Sequence, residues 1–226
     1  MPATLDPLRR ILAGAPPRRW IMLLAGLTCF GCGVALMVKA GLGLSPWESL
    51  HQGISFRTGI SIGAVSILLG APILLLWLPL GERPGIGTVL NVALIGLVTD
   101  ISLSILPGVT HFIAQLVEMT LGIAVIGLGS ALYLGTRLGA GPRDGLMMGL
   151  ARKTGWSIRL TRTAIEITVL LFAWALGGTI GLGTLAFALG IGPAVQLAFK
   201  LLRLDPAVRP VARPTAAIEP ARLPAE

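Results

Sequence analysis

Six long runs of apolar residues divide this chain of 226 residues and decide what it can fold into. A helix that crosses a bilayer needs about 20 predominantly apolar residues. Only 12% of the residues are charged, and a soluble fold of this size could not bury so much apolar surface. The sequence therefore predicts an all-α membrane protein with six transmembrane helices. They cover Trp20–Lys39, Ile60–Leu80, Gly85–Leu106, Phe112–Gly135, Thr163–Gly178 and Gly181–Leu202.

The positive charges are distributed unevenly over the loops between these runs. With a cytoplasmic N-terminus and six spans, the cytoplasmic side receives all of the 18 Lys and Arg residues except Lys39 and Arg57. Cytoplasmic loops of membrane proteins are enriched in Lys and Arg. The sequence therefore predicts that both termini are cytoplasmic. A basic tail is expected at 1–19, and a disordered tail rich in Pro, Ala and Arg at 203–226.

The chain also resembles itself when it is shifted by 96 residues without a gap. About 23 of the 79 positions aligned between Gly26 and Ser104 are identical to their partners, and the matches include glycines and a proline as well as apolar residues. This indicates a duplication, with repeat 1 at 20–106 and repeat 2 at 107–202. Each repeat holds three spans, so the second must enter the membrane from the opposite side. Inverted-topology repeats of this kind build many secondary transporters, with the ligand site between them.

Each repeat carries a short polar segment after its first span. Ser45-Pro46-Trp47-Glu48 has the pattern of a helix start, with Ser at the N-cap, Pro at the first helical position and an acid at the third. Gly141-Pro142-Arg143-Asp144 is its counterpart in repeat 2. About a dozen residues form each predicted helix, which is too short to span. Three interpretations stay open: an amphipathic helix at the interface, a re-entrant half-helix that helps to form a solute site, or a helix that docks a partner.

Carboxylates within a bilayer are rare and are functional candidates by default. Glu118 lies in the fourth predicted span and Glu166 in the fifth. Arg162 precedes Glu166 by four residues, which places the two side chains on one helix face as a structural ion pair. The structural interpretation of Glu118 is a carboxylate that reaches back toward the membrane interface. Alternatively, these residues couple proton or cation binding to transport. Glu118 and Glu166 have no acidic counterpart in repeat 1, so a symmetric mechanism with two acids is not expected.

Several function classes find no support in the sequence. Two cysteines and two histidines are too few for a disulfide framework or a dedicated metal site. A nucleic-acid-binding protein would present a basic face on a soluble module, and this chain has no such module. No nucleotide-binding loop or catalytic signature occurs, so we expect no enzyme activity, cofactor or metal.

The segments Gly43–Glu48 and Gly139–Leu146, with Gly183-Thr184, resemble the YczE-like group of bacterial integral membrane proteins (the YczE/YyaS/YitT group). The resemblance covers about residues 20–202, with Glu48 standing where the first repeat of the group usually carries Asp. It implies a multi-pass protein of the bacterial cytoplasmic (inner) membrane. It implies no substrate or catalytic residue, because the group has none assigned.

These features together predict a small-solute transporter or permease with its site between the inverted repeats. Its expected partners are the lipid bilayer and a small solute, without nucleic acid, and the chain is compatible with a homo-oligomer. The predicted solute site comprises Ser45, Pro46, Trp47, Glu48, Pro142, Arg143 and Asp144. The alternative is a non-transporting membrane scaffold or accessory subunit. Short helices that reach a central polar cavity would favour transport, whereas short helices lying flat over a dry core would favour the scaffold.

Overall fold

The computed structural model describes residues 16–204, and all the regular structure in that range is helical. Most of both predicted tails lies outside this range. The eight helices are α1 (Pro17–Ala40), α2 (Pro46–Thr58), α3 (Ile62–Leu80), α4 (Ile86–Ile105), α5 (Phe112–Gly135), α6 (Pro142–Thr154), α7 (Ile158–Ala175) and α8 (Leu182–Leu201). The all-α class predicted from the sequence is confirmed.

Five of these helices are long and apolar enough to cross a membrane: α1, α3, α4, α5 and α8. The chain is thus a membrane-integral protein. Helix α7 differs because its 18 residues include Arg159, Arg162 and Glu166. It also begins five residues before the predicted start at Thr163, since the Ser157 hydroxyl caps it by accepting a hydrogen bond from the Leu160 N–H at 3.2 Å.

The short helices α2 and α6 form where the sequence predicts them, and their ends have local causes. The Ser45 hydroxyl caps α2 by accepting a hydrogen bond from the Glu48 N–H at 3.5 Å. Gly59 and Gly155 end the two helices with φ of 75° each, a backbone conformation that glycine adopts without strain. Ser45 and Glu48 have the spacing of a capping box, in which the acid would bind the N-cap N–H in return, but the Glu48 carboxylate binds Arg143 instead.

The centre of the molecule is the crossing of α1 and α5, which run antiparallel in close contact. Gly26 lies against Gly129, and Gly33 lies against Gly122. In each case an added methyl group would meet the backbone of the other helix. Glycines allow this approach because the backbones of two helices can then touch directly. In sequence, Gly26 corresponds to Gly122 and Gly33 to Gly129, each 96 residues apart.

Matching contacts recur elsewhere between the two halves of the chain, which are α1–α4 and α5–α8. The Gly183 N–H donates to the Leu42 carbonyl at 2.7 Å, and the Gly87 N–H donates to the Leu138 carbonyl at 3.0 Å. These two hydrogen bonds are again related by the 96-residue shift. At the level of helices, α2 packs against α7 and its counterpart α6 packs against α3. The halves therefore interlock, each supplying elements to the other.

The close contact between α3 and α4 in the first half has no counterpart between α7 and α8 in the second half of the described chain. Helices α3 and α4 pack closely, because Gly63 admits the Asp100 side chain and Gly70 admits Val92. Arg159 and Glu166 occupy the equivalent positions in α7, and side chains of that size prevent the same approach. In the described residues α7 makes little contact with α8, so the second half is open where the first half is closed.

Candidate functional site

A cavity of about 430 Å³ lies at the interface of the two halves. Its wall includes the first residues of both short helices and side chains from six other helices. Many of its residues are counterparts 96 positions apart: Ser45 and Gly141, Pro46 and Pro142, Trp47 and Arg143, Ser66 and Arg162, Gly70 and Glu166, and Ile95 and Ile191. The cavity thus lies where residues related by the 96-residue shift face one another.

Glu48 and Arg143 join the starts of the two short helices. Arg143 Nη2 lies 2.7 Å from Glu48 Oε1, and the guanidinium also stacks 5.1 Å from the ring centre of Trp47. The Glu48 side chain is 8% exposed and that of Arg143 is 33% exposed. Burial raises the pKa of the Glu48 carboxyl, but Arg143 and the nearby His51 more than offset it and hold the pKa below its usual value. Glu48 is therefore a buried anion that contributes to the cavity through its partner.

His51 lies one turn further along α2 and lines the same cavity. The residue is 4% exposed, and its ring makes no hydrogen bond within residues 16–204. Burial, and then the charge of Arg143, lower the pKa of His51 to about 3, although Glu48 acts in the opposite direction. The ring is therefore neutral near pH 7, and it can both donate and accept a hydrogen bond to a solute.

Asp144 occupies the position in α6 that Glu48 occupies in α2, but its surroundings differ. The Tyr133 hydroxyl lies 3.4 Å from Asp144 Oδ2, and no cation of the described residues forms an ion pair with the carboxylate. Burial raises the pKa of Asp144, and the charges of Arg143 and Arg162 offset this only in part. Asp144 lines the cavity directly, whereas Glu48 does not. The two acids therefore do not form a symmetric pair.

The three residues predicted to couple transport divide into two groups. Arg162 and Glu166 line the cavity, and Arg162 Nε lies 2.9 Å from Glu166 Oε1, which confirms the predicted ion pair. Glu118 is not part of the cavity wall. One of its carboxylate oxygens is buried without a hydrogen bond in the described part of the chain. The structure thus brings together all of the predicted residues except Glu118.

Sequence reasoning missed several polar groups of the cavity. Tyr133 and Ser130 reach it from α5, Asn91 reaches it from α4, and neither Ser130 nor Asn91 has a hydrogen-bonding partner for its side chain within 16–204. A signal existed for Tyr133, which is the chain's only tyrosine. Ser130 and Asn91 lie in apolar helices and carry no comparable signal. With Asp144 and His51, these groups provide the cavity wall with hydrogen-bond donors and acceptors.

Comparison with known families agrees with the resemblance described above. Residues 17–200 match a family of unknown function, DUF6198. An uncharacterized protein of Haemophilus influenzae is 42% identical over 181 residues, which cover 80% of this chain and 83% of that protein. The uncharacterized membrane protein YczE of Bacillus subtilis is 38% identical over 177 residues, covering 77% and 82%. YyaS, an uncharacterized protein of the same species, is 29% identical over 164 residues, covering 71% and 82%. No solved structure matches the chain. The YczE-like resemblance is confirmed.

Proposed function

We propose that this chain, which belongs to the DUF6198 family of unknown function, is a small-solute transporter or permease whose solute site is the cavity between two inverted repeats. The observation that carries the proposal is the position of the two short helices. Both begin at the wall of one cavity, which polar and charged side chains line together with apolar ones. A scaffold would have no need for this cavity.

The proposal includes six spans in two inverted repeats. Helix α7 joins the five apolar helices as a span, with the charges of Arg162 and Glu166 neutralising each other beside the cavity. The antiparallel crossing of α1 and α5 supports the inverted relation, since helices related by an inverted repeat run in opposite directions. The matched hydrogen bonds from Gly183 to Leu42 and from Gly87 to Leu138 support it independently.

The proposed orientation places both termini on the cytoplasmic side of the bacterial inner membrane. It rests on the excess of Lys and Arg in the loops that would face the cytoplasm. In this orientation α6 begins from the cytoplasmic side and α2 from the opposite side. The solute site would then lie between two short helices that approach it from opposite faces of the membrane.

The test is an uptake screen with the purified full chain in proteoliposomes, using labelled amines, amino acids, organic acids and sugars. Ser130→Phe fills the cavity from α5, and Leu121→Phe is the matched control because Leu121 lies on the same helix with half of its surface exposed. We expect flux of at least one solute class, abolished by Ser130→Phe and retained in Leu121→Phe.

Two results would count against transport. The first is the absence of flux, and of stabilisation by ligand, for every solute class. The second is a partner that co-purifies with the chain and is lost when Glu48 or Asp144 is replaced, because assembly would then be what these residues support.

A further inference from the structure

Two ion pairs border the cavity, and one further carboxylate of its wall has no cationic partner among the described residues. Arg143 is paired with Glu48, and Arg162 is paired with Glu166. Each guanidinium therefore already binds a carboxylate, with which an anionic solute would have to compete. Asp144 is the remaining carboxylate of the cavity wall, and its hydrogen bond comes from the neutral Tyr133 hydroxyl.

The imbalance arises from one difference between the repeats. Arg143 reaches across the interface to Glu48, and the equivalent contact would join residue 47 to Asp144. Residue 47 is Trp, whose indole carries no charge. The duplicated arrangement therefore provides a cation for one of the two acids and leaves the other facing the cavity.

We infer that Asp144 anchors the ammonium group of a small organic cation or zwitterion, an assignment that rests on the proposed function and names the solute class of that site. An ammonium group has three N–H donors and requires oxygen or nitrogen acceptors around it. The Asp144 carboxylate, the Tyr133 hydroxyl and the Ser130 hydroxyl supply acceptors at the cavity wall. Ser130 is 7% exposed and has no protein partner within the described chain, so its hydrogen-bonding capacity is unused.

The helix starts favour a cation over an anion at this cavity. An anion at a helix N-terminus binds the free backbone N–H groups of the first turn. Here Pro46 and Pro142 remove one such donor from each helix. The third N–H of each helix is also engaged, since Glu48 donates to the Ser45 hydroxyl and Asp144 donates to the Gly141 carbonyl. The acids themselves already compensate the positive ends of the helices.

The size and lining of the cavity indicate an organic solute and not a bare inorganic ion. Its volume of about 430 Å³ exceeds what one ion with its ligands occupies. Phe30, Ile95, Ile126 and Ile191 contribute apolar surface that would cover a short carbon chain. His51 lies on the same wall with its ring free to meet a second polar group.

The experiment uses four probes with one carbon skeleton and different charges: butylammonium, 4-aminobutyrate, butyrate and butyramide. Binding to the full chain in nanodiscs is measured by calorimetry near neutral pH. We expect the two amines to bind at least about tenfold more tightly than butyrate and butyramide. Asp144→Asn should remove this preference and Asp144→Glu should keep it. Glu82→Gln is the control, because Glu82 binds Arg152 and does not line the cavity.

Three results would overturn the assignment: stronger binding of butyrate, amine binding that Asp144→Asn leaves unchanged, or no binding of either amine. If the amines do not bind and the pH dependence of the transport rate disappears in Asp144→Asn, Asp144 is a proton carrier instead. Uptake of another solute class, blocked by Ser130→Phe, would leave the proposed function intact. Amine binding without flux would support this site and count against transport.

Discussion

At the scale of single residues, Glu48 and Asp144 show how position alone fails to specify a role. They occupy equivalent places at the starts of α2 and α6, and either could cap its helix. Arg143 forms an ion pair with the buried Glu48 carboxylate, whereas Asp144 is bound by the Tyr133 hydroxyl and forms no ion pair with a cation of the described residues. Burying a carboxylate costs free energy unless the carboxylate is paired. We therefore expect burial of Asp144 to reduce the free energy of unfolding more than burial of Glu48 does.

The Glu48–Arg143 pair can be tested by a double-mutant cycle. Arg143→Gln leaves the Glu48 charge buried, and we expect it to destabilise the fold by roughly 3 kcal/mol. Glu48→Gln should cost less, because Arg143 is one-third exposed and keeps contact with water. The double variant should be more stable than Arg143→Gln alone. Unfolding of the detergent-solubilised chain measures all three, and strictly additive effects would show that the two residues do not interact.

At the scale of helices, small residues determine which faces can approach. Gly63 and Gly70 bring α3 against α4, while Arg159 and Glu166 hold α7 away from α8. The pair α3 and α4 is thus in close contact, whereas the pair α7 and α8, at the positions 96 residues later, is open. Arg162 and Glu166 of α7, together with Ile191 of α8, contribute to the cavity wall on the open side.

The contact between α3 and α6 depends on Trp77. Its indole N–H donates to the Pro142 carbonyl at 2.9 Å, and its ring lies directly over Gly145. Trp77→Phe removes this buried hydrogen bond, and we expect a loss of roughly 1–3 kcal/mol in unfolding free energy. Trp174→Phe is the matched control, because Trp174 is 73% exposed on α7. Equal effects of the two substitutions on thermal unfolding would exclude a specific role for Trp77.

At the scale of the whole molecule, the 96-residue shift relates every helix of one half to a helix of the other. The starts of α2, α3 and α4 recur as the starts of α6, α7 and α8 at this interval. The interlocked packing of α2 with α7 and of α6 with α3 buries the interface between the halves. We therefore expect neither half to fold as an independent unit.

The inverted arrangement can be tested with single cysteines at equivalent sites. Thr58 and Thr154 are exposed at the ends of α2 and α6, and they are 96 residues apart. In a chain with Cys29→Ala and Cys32→Ala, we expect a membrane-impermeant maleimide to label Thr58→Cys only from the periplasmic side and Thr154→Cys only from the cytoplasmic side. Labelling of both from one side would contradict the inverted repeat.

The sequence by itself determined the helices, the membrane class and the family. These follow from signals among neighbouring residues: apolar runs set the helices, Ser and Pro begin them, and Gly59 and Gly155 end two of them. It also predicted most of the residues that gather at the cavity, because the similarity at a shift of 96 residues marks the two short helices as equivalent.

Only the tertiary structure decided how these elements face one another. The pairing of Glu48 with Arg143 spans 95 positions, and Asp144 meets Tyr133 across the short segment that connects α5 with α6. Glu118, by contrast, stays outside the cavity despite being an equally prominent acid in the sequence. Such contacts depend on the distance and rotation of whole helices, which the sum of many packing interactions sets and no short sequence pattern records.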